Sequence, residues 1–124
     1  MMYELPVATG IESVPFRGIV EQSVAGIYIL QDEHFHYANA TFGGMAGYSV
    51  DEMTGRPLRE CVPPYYEAEV MDRYNRRISG EVKSMRFITQ GLHRDGRVVH
   101  IEVHGEAMQY RGRPAIVGVG VNVS

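Results

Sequence analysis

The sequence from Ser84 onward is the most constraining part of the chain, because apolar and polar residues alternate there and two turn signals interrupt the alternation. Alternation with a period of two is typical of β-strands that bury one face. The first turn signal is the pair Asp95-Gly96, and the second is the stretch 111–114 with its Gly and Pro. Strands joined this closely must run antiparallel. The pattern therefore predicts a three-stranded antiparallel meander with strands at residues 84–93, 97–110 and 115–123.

Two further strands are predicted earlier in the chain. Residues 26–31 are rich in β-forming side chains, and residues 34–38 alternate around Phe35 and Tyr37. Only Asp32 and Glu33 separate the two segments, so the pair is predicted to form an antiparallel hairpin.

The middle of the chain has helical periodicity. Residues 39–48 place apolar side chains at helical spacing and meet a stop at Gly47. Ser49 followed three residues later by Glu52 predicts a capping box at the start of a second, short helix. That helix is broken near Gly55 and Pro57.

The longest predicted helix opens at Pro63 and Pro64, since proline suits the first turn of a helix, and it ends before Gly80. Acidic residues lie near its start and arginines near its end, which complements the helix dipole. Its apolar stripe consists of Tyr66, Val70, Tyr74 and Ile78. The order of elements is thus two strands, short helices, one long helix and three strands, which predicts an α+β fold with the helices grouped in one crossover.

Length and composition place further bounds. The 124 residues are 44% apolar, enough for one domain with its own core, and the formal net charge is -3, which disfavours nucleic-acid binding. No apolar run is long enough to span a membrane and no signal peptide is recognisable, and a single cysteine suits a reducing compartment, so we expect a cytoplasmic protein. Residues 1–15 are predicted to be a loose arm, and residues 16–24 a short amphipathic helix that begins the domain 16–124.

In its motifs the sequence from Phe16 to Ser124 resembles a PAS domain. No single one of these motifs is specific for the family, but the order and spacing of the whole set are. The residues that carry the resemblance are Asn39-x-x-Phe42, Gly47-Tyr48, Glu52, Gly55, Arg94-Asp95-Gly96-Arg97, Gly105, Gly112-x-Pro114, Gly118 and the closing Asn122-Val123-Ser124. Many PAS domains have Asp at the position of Asn122, so this chain departs from the pattern there.

The resemblance implies a five-stranded antiparallel sheet in the order 2-1-5-4-3, with helices on one face that enclose a small cavity. It also implies a sensor module of a longer protein, whose output domain would follow Ser124. Typical outputs are a histidine kinase of the two-component type, a diguanylate cyclase or a helix-turn-helix transcription regulator.

Two cofactors common in PAS domains, flavin with a reactive cysteine and haem with a His ligand, do not match these residues. The sequence identifies no other cofactor. Flavin photosensors carry a reactive cysteine after a Gly-Arg-Asn sequence, but here the matching stretch begins Gly55-Arg56-Pro57 and Leu58 occupies the cysteine's position. Cys61 lies three residues later and is interpreted as a small apolar residue. Haem-binding PAS domains use a His on the long helix, and residues 64–79 contain none.

Metal binding and catalysis are not expected. His100, Glu102 and His104 share one strand face, opposite Val99 and its apolar neighbours, but one strand supplies too few converging ligands for a metal. The His34-x-His36 pair belongs to a strand at the far edge of the implied sheet. No phosphate-binding loop or nucleophile arrangement appears, so no catalytic residue is assigned.

An apolar cavity remains as the candidate site. Tyr66 and Tyr74 are of special interest, because a buried phenol needs a hydrogen-bond partner. Glu52 and Arg94 are predicted to pair near the mouth of the pocket. The predicted ligand-binding residues are Ile29, Phe42, Met45, Met53, Leu58, Tyr66, Val70, Tyr74, Phe87, Ile101, Val117 and Val119, and Ile27 is a further candidate for the wall.

The sequence is therefore interpreted as a PAS sensor or interaction domain that binds a small ligand or a partner and relays the change through its last strand. A homodimer is expected through the 16–24 helix and the outer face of the sheet. One alternative is a dimerisation adaptor whose core is filled by its own side chains. Another is a small-molecule enzyme pocket, which would need a titrating group aimed inward.

Overall fold

The computed structural model describes residues 25–124, so the predicted arm at 1–15 and the predicted helix at 16–24 lie outside the described residues. Two short 3-10 turns, Leu58–Cys61 and Pro64–Tyr66, precede the longest helix. The regular elements are β1 (Gly26–Gln31), β2 (His34–Ala38), α1 (Ala40–Met45), α2 (Val50–Met53), α3 (Glu67–Ile78), β3 (Ser84–Leu92), β4 (Val98–Tyr110) and β5 (Arg113–Asn122). None of the helices in this described part is long and apolar enough to span a bilayer.

The five strands form one antiparallel sheet in the order β2-β1-β5-β4-β3, as the resemblance implied. The last strand, β5, lies at the centre and pairs with β1 on one side and with β4 on the other. The long α-helical crossover between β2 and β3 covers one face, which confirms the predicted α+β architecture.

Tight turns set the hairpin registers. Asp32 and Glu33 both have positive φ angles, 55° and 65°, which is the geometry of a two-residue hairpin turn that matches strand twist. Arg111 and Gly112 form a similar two-residue turn with φ angles of 53° and 78°. β5 therefore begins at Arg113, two residues before the predicted position. Pro114 fits this strand because β5 pairs with β1 only from Ile116 onward. The missing N–H of Pro114 is therefore not needed for a hydrogen bond to β1.

Asn39 joins the first helix to the sheet. Its side chain is fully buried, and its Oδ1 accepts hydrogen bonds from the backbone N–H groups of Phe42 and Ile27, both at 2.9 Å. The first bond caps α1, and the second holds that helix against β1. The helix is shorter than predicted, since it ends at Met45 before the turn at Gly47.

The second and third helices follow the sequence signals closely. The predicted capping box at Ser49 and Glu52 is present, with both reciprocal hydrogen bonds formed. The segment that opens at Pro63 and Pro64 begins as a 3-10 turn and becomes α-helical at Glu67.

The inner face of the sheet, which packs under the helices, is built around glycine. Gly118 of β5 pairs with Tyr28 of β1 and with Gly105 of β4. The phenol of Tyr28 lies across these two glycines, so that a Cβ added to Gly118 would overlap the hydroxyl and the ring of Tyr28. The absence of side chains at Gly105 and Gly118 is therefore what makes room for Tyr28 in the core.

Gly118→Ala is expected to lower the free energy of unfolding by about 1–3 kcal/mol, because the added methyl group forces the Tyr28 ring out of its place. Gly44→Ala in α1 is the matched control, since no atom lies within 4 Å of its added Cβ, and it should be neutral or stabilising. Urea denaturation of both variants measures the difference. Equal stability of the two variants would contradict the packing described here.

Candidate functional site

A cavity lies between the inner face of the sheet and the helical crossover. Its volume is about 70 Å³. Three packed aromatic rings form one wall: the ring centroids of Tyr28 and Phe42 are 4.9 Å apart, and those of Phe35 and Phe42 are 5.5 Å apart. The remaining lining residues are Leu30, Ala46, Met53, Leu58, Cys61, Val62, Val70, Arg77, Phe87, Thr89, Gln90, Gly91, Val99, Ile101 and Val103.

Half of the predicted ligand-binding residues line this cavity. They come from separate elements that the fold brings together: the first helix, the second helix with the 3-10 turn after it, the long helix, and strands β3 and β4. The six residues are Phe42, Met53, Leu58, Val70, Phe87 and Ile101. Their role in ligand binding remains a prediction.

The placement of Ile29, Val117 and Val119 in the wall is wrong, and so is that of Ile27. Within residues 117–121 of β5 the buried positions are Gly118 and Gly120, whereas Val119 is 44% exposed. Ile27 and Ile29 pair with Val119 and Val117, so all four side chains point to the outer face of the sheet. The cause is the space taken by Tyr28 and Phe42 on the inner face, which leaves room for glycine but not for valine.

Met45, Tyr66 and Tyr74 also lie away from the cavity lining. Met45 and Tyr66 are half-buried and pack against the edge of the core. Tyr74 is buried, but its hydroxyl accepts a hydrogen bond from the backbone N–H of Glu33 at 2.8 Å. The partner that this phenol needs is thus the β1–β2 turn and not a ligand.

Tyr66 helps to connect α3 with β3 beside the cavity. Its hydroxyl lies 3.5 Å from the carbonyl oxygen of Ile88 and accepts a hydrogen bond from Arg73 at 2.8 Å. The guanidinium of Arg73 in turn lies 4.3 Å from the ring centroid of Phe87, a cation–π contact. Neighbouring Tyr65 donates to the side chain of Gln90, which lines the cavity.

Arg77 is the main residue that the sequence analysis missed. Its side chain lines the cavity, and only 4% of the residue surface is exposed. The sequence analysis assigned the arginines near the end of this helix to the dipole. A signal was available: Val70, Tyr74 and Arg77 follow the spacing i, i+4, i+7 and so lie on one helix face.

The guanidinium of Arg77 is incompletely satisfied. Its Nε donates to the carbonyl oxygen of Arg73 at 3.1 Å, but its Nη1 is buried without a hydrogen-bond partner. Burial lowers the pKa of Arg77, and burial likewise raises the pKa of the nearby Tyr28 phenol. An arginine still keeps its proton in a protein, and the phenol stays neutral, so a full positive charge lies at the cavity wall.

Cys61 lines the cavity beside Leu58. Its Sγ lies 3.6 Å from the carbonyl oxygen of Pro57, and burial raises the pKa of its thiol to about 12. At neutral pH the group is therefore a thiol and not the nucleophilic thiolate. This fits the interpretation of Cys61 as a small apolar residue.

Glu52 and Arg94 form the predicted pair, with Nη1 and Oε1 3.1 Å apart. The pair is exposed, and neither residue lines the cavity. The backbone N–H of Ser49 lowers the pKa of Glu52, and Arg94 adds to this effect. The same Arg94 side chain donates to the carbonyl oxygen of Gly47, so the pair attaches the β3–β4 turn to the helical crossover.

The polar face of β4 lies on the outer side of the sheet, where His100, Glu102 and His104 are exposed. β2, with the His34-x-His36 pair, is at the sheet edge, and two strands separate it from β4. Within residues 25–124 no three metal-ligating side chains gather closely enough to hold an ion.

A sheet in the order 2-1-5-4-3 with a helical crossover over a small cavity is the architecture that the motifs of the sequence implied. A sequence model of the family described as PAS fold matches residues 16–122, and the chain belongs to that family. PAS domains are generally sensory modules and not enzymes, and they bind small ligands or partner proteins. None of the curated proteins compared with the chain matches it.

Solved PAS domains have the same fold. One from Colwellia psychrerythraea is 14% identical, with a TM-score of 0.75 over 87% of this chain and 93% of that one. One from an HTR-like protein of Haloarcula marismortui is 21% identical, with a TM-score of 0.75 over 93% and 94%. One from a LuxR-family transcriptional regulator of Burkholderia thailandensis, in complex with ethanol, is 15% identical, with a TM-score of 0.70 over 89% and 98%.

Alkylation of Cys61 by iodoacetamide at pH 8 is expected to be at least ~100-fold slower in the folded protein than in urea, because burial both blocks access and suppresses the thiolate. Mass spectrometry of timed samples gives the two rates. A folded-state rate within a few-fold of the unfolded rate would show that the thiol is accessible and ionised, contrary to the structure.

Arg77→Met is expected to leave the free energy of unfolding unchanged or to raise it by about 1–2 kcal/mol, because methionine fills similar space without a buried, unneutralised charge. Arg76→Met on the exposed side of the same helix is the control and should change it by less than about 0.5 kcal/mol. Urea denaturation in a buffer without organic acids measures both. A loss of several kcal/mol in Arg77→Met alone would show that Arg77 is required for folding.

Proposed function

We propose that this chain is the sensor module of a larger signalling protein and that it binds a small molecule in the cavity under α3. The observation that carries the proposal is the cavity itself: it is mostly apolar, it lies between the helical crossover and the sheet, and one charged side chain, Arg77, is directed into its wall. Concave apolar sites with a few polar groups are typical of ligand-binding pockets. The module has no catalytic role in this proposal.

The size of the cavity limits the ligand. A volume of about 70 Å³ holds roughly five water-sized groups at ~10–15 Å³ each. The Burkholderia thailandensis PAS domain was solved in complex with ethanol, which supports a ligand of this size for a domain of this fold. We therefore propose a ligand of only a few non-hydrogen atoms, and not flavin or haem, as the signal at this site.

In this proposal, β5 transmits the effect of ligand binding to the output domain. This strand lies at the centre of the sheet, supports the cavity-lining residue Tyr28 through Gly118, and ends at Asn122. A ligand changes the output only if it binds two packings of α3 against the sheet with different affinity. The output domain would follow Ser124, and solved neighbours from a sensor histidine kinase and a LuxR-family regulator support a signalling host. We propose that this host is cytoplasmic.

We further propose that the module works as a homodimer. The outer face of the sheet exposes Ile88, Val119 and Val121, and an apolar surface of this kind is typical of an interface. The 16–24 segment, with Phe16, Ile19 and Val20 at helical spacing, would complete that interface.

The alternative function is a dimerisation adaptor with no ligand. The exposed apolar residues of the outer sheet face favour it independently of the cavity. The two functions differ in whether the cavity ever takes up a molecule from solution.

Native mass spectrometry of the purified chain tests both functions. A ligand sensor should retain a reproducible small added mass, or should take one up when the protein is incubated with ethanol, and the mass should be lost on acid unfolding. A dimer without added mass under any of these conditions would favour the adaptor. A monomer at micromolar concentration would refute the proposed interface.

A further inference from the structure

The charge of Arg77 has no counter-ion in the described chain, and this sets it apart from its neighbours on α3. Arg73 pairs with Glu69 at 2.5 Å, and Arg76 pairs with Glu81 at 3.3 Å. Arg77 makes no ion pair with any described residue, and none of the described residues that line the cavity is acidic. A buried charge without a partner is costly, since desolvation is not offset by a Coulombic attraction.

The groups around Arg77 do not compensate for that charge. The carbonyl oxygen of Arg73 accepts from Nε only. The ring centroid of Phe87 lies 5.5 Å from the guanidinium carbon. The nearby phenol of Tyr28 opposes the effect of burial on the pKa of Arg77, but as a neutral group it does not cancel the charge. These contacts hold the side chain in position, but they leave Nη1 with a hydrogen to donate and the charge uncancelled.

The glycine at position 105 brings two donors together. The Nη1 of Arg77 and the hydroxyl of Tyr28 lie 2.7 Å and 2.9 Å from the point where a Cβ of Gly105 would be. The two polar groups therefore lie next to each other against the backbone of Gly105, and both residues also line the cavity. The protonated phenol and the guanidinium both have hydrogens to donate, so together they match an acceptor that carries negative charge.

We propose that the ligand of this cavity is a small carboxylate whose oxygens are bound by Nη1 of Arg77, with the hydroxyl of Tyr28 as a second donor. This inference rests on the proposed ligand-sensing function and names the chemical class of its ligand. A carboxylate supplies the missing acceptor and the missing negative charge at once, and its apolar remainder fits against Val70, Phe87 and Ile101. The cavity volume of about 70 Å³ restricts that remainder to a short chain.

The position of Arg77 also explains how binding of such a ligand would change the packing of the domain. Arg77 belongs to α3, whereas Tyr28 belongs to β1 and lies over β4 and β5. A carboxylate bound by both residues would therefore connect the long helix to the centre of the sheet. The neutralised guanidinium would favour the packing in which α3 lies close to the sheet.

The test compares two probes of nearly equal shape, acetate and acetamide, on the whole 124-residue chain. Each is titrated at pH 7 and constant ionic strength, set with sodium chloride, while backbone amide shifts are followed by NMR. Acetate should give saturable shifts at Gly105, Gly118 and the last turn of α3. Acetamide should bind at least about tenfold more weakly, because it carries no charge to pair with Arg77.

Two variants locate the effect. Arg77→Met should lose acetate binding by at least about tenfold while it keeps acetamide binding, and Arg76→Met should bind acetate as the wild-type chain does. If Arg77→Met does not fold, the contrast between acetate and acetamide in the wild-type chain decides alone.

The outcomes separate this inference from the proposed function. Equal affinity for acetate and acetamide, or acetate binding that survives Arg77→Met, would overturn the carboxylate but leave ligand sensing in place. No saturable shift at any cavity residue with either probe or with ethanol would overturn both.

Discussion

Tyr28 lying across Gly118 and Gly105 is the contact on which the rest of the structure depends. Side chains on the inner face of a sheet normally keep the layer above it about 10 Å away. Here the adjacent strands β4 and β5 both have glycine at paired positions. The aromatic ring of Tyr28, from β1, occupies the space that two side chains would otherwise fill. The ring therefore decides how close α3 comes to the sheet, where Phe42 and Phe35 pack, and where the cavity remains.

The same arrangement places polar groups inside a mostly apolar core. The hydroxyl of Tyr28 and the guanidinium of Arg77 meet over Gly105, beside a cavity whose other lining residues are mostly apolar, with Thr89 and Gln90 as polar exceptions. A core selected for stability alone would place apolar side chains there, because an uncompensated charge costs free energy in a medium of low polarity. The proposed ligand would account for this departure, since local conflicts of this kind concentrate where a protein binds or reacts.

Much of the fold could be predicted from the sequence, because its strongest signals are local. The Asp32-Glu33 and Asp95-Gly96 turns, the capping box at Ser49 and the stripe on α3 depend on residues close together in the chain. The order of the strands came from the resemblance of the motifs to a known family, since pairing between distant strands leaves no local trace. The start of β5 was misplaced because Pro114 was interpreted as part of a turn.

The candidate site was harder to predict, since it depends on which side of each strand faces inward. In β5 the alternation of valine with glycine is clear, but hydrophobicity assigns the valines to the core. Only the register with β1 shows that Gly118 lies under Tyr28. Arg77 was missed for a related reason: a charged residue near the end of a helix is usually exposed, and nothing in the sequence alone shows that the cavity extends to it.

The central position of β5 has a consequence for folding of the protein during its synthesis. β1 and β4 both need this strand as their neighbour, yet it leaves the ribosome after every other strand of the sheet. Until then the β1–β2 hairpin and the β3–β4 hairpin have no common partner, and their unpaired edges stay open to other chains. The five-stranded sheet can therefore be completed only after translation has passed Asn122, when β5 becomes available to join the two hairpins.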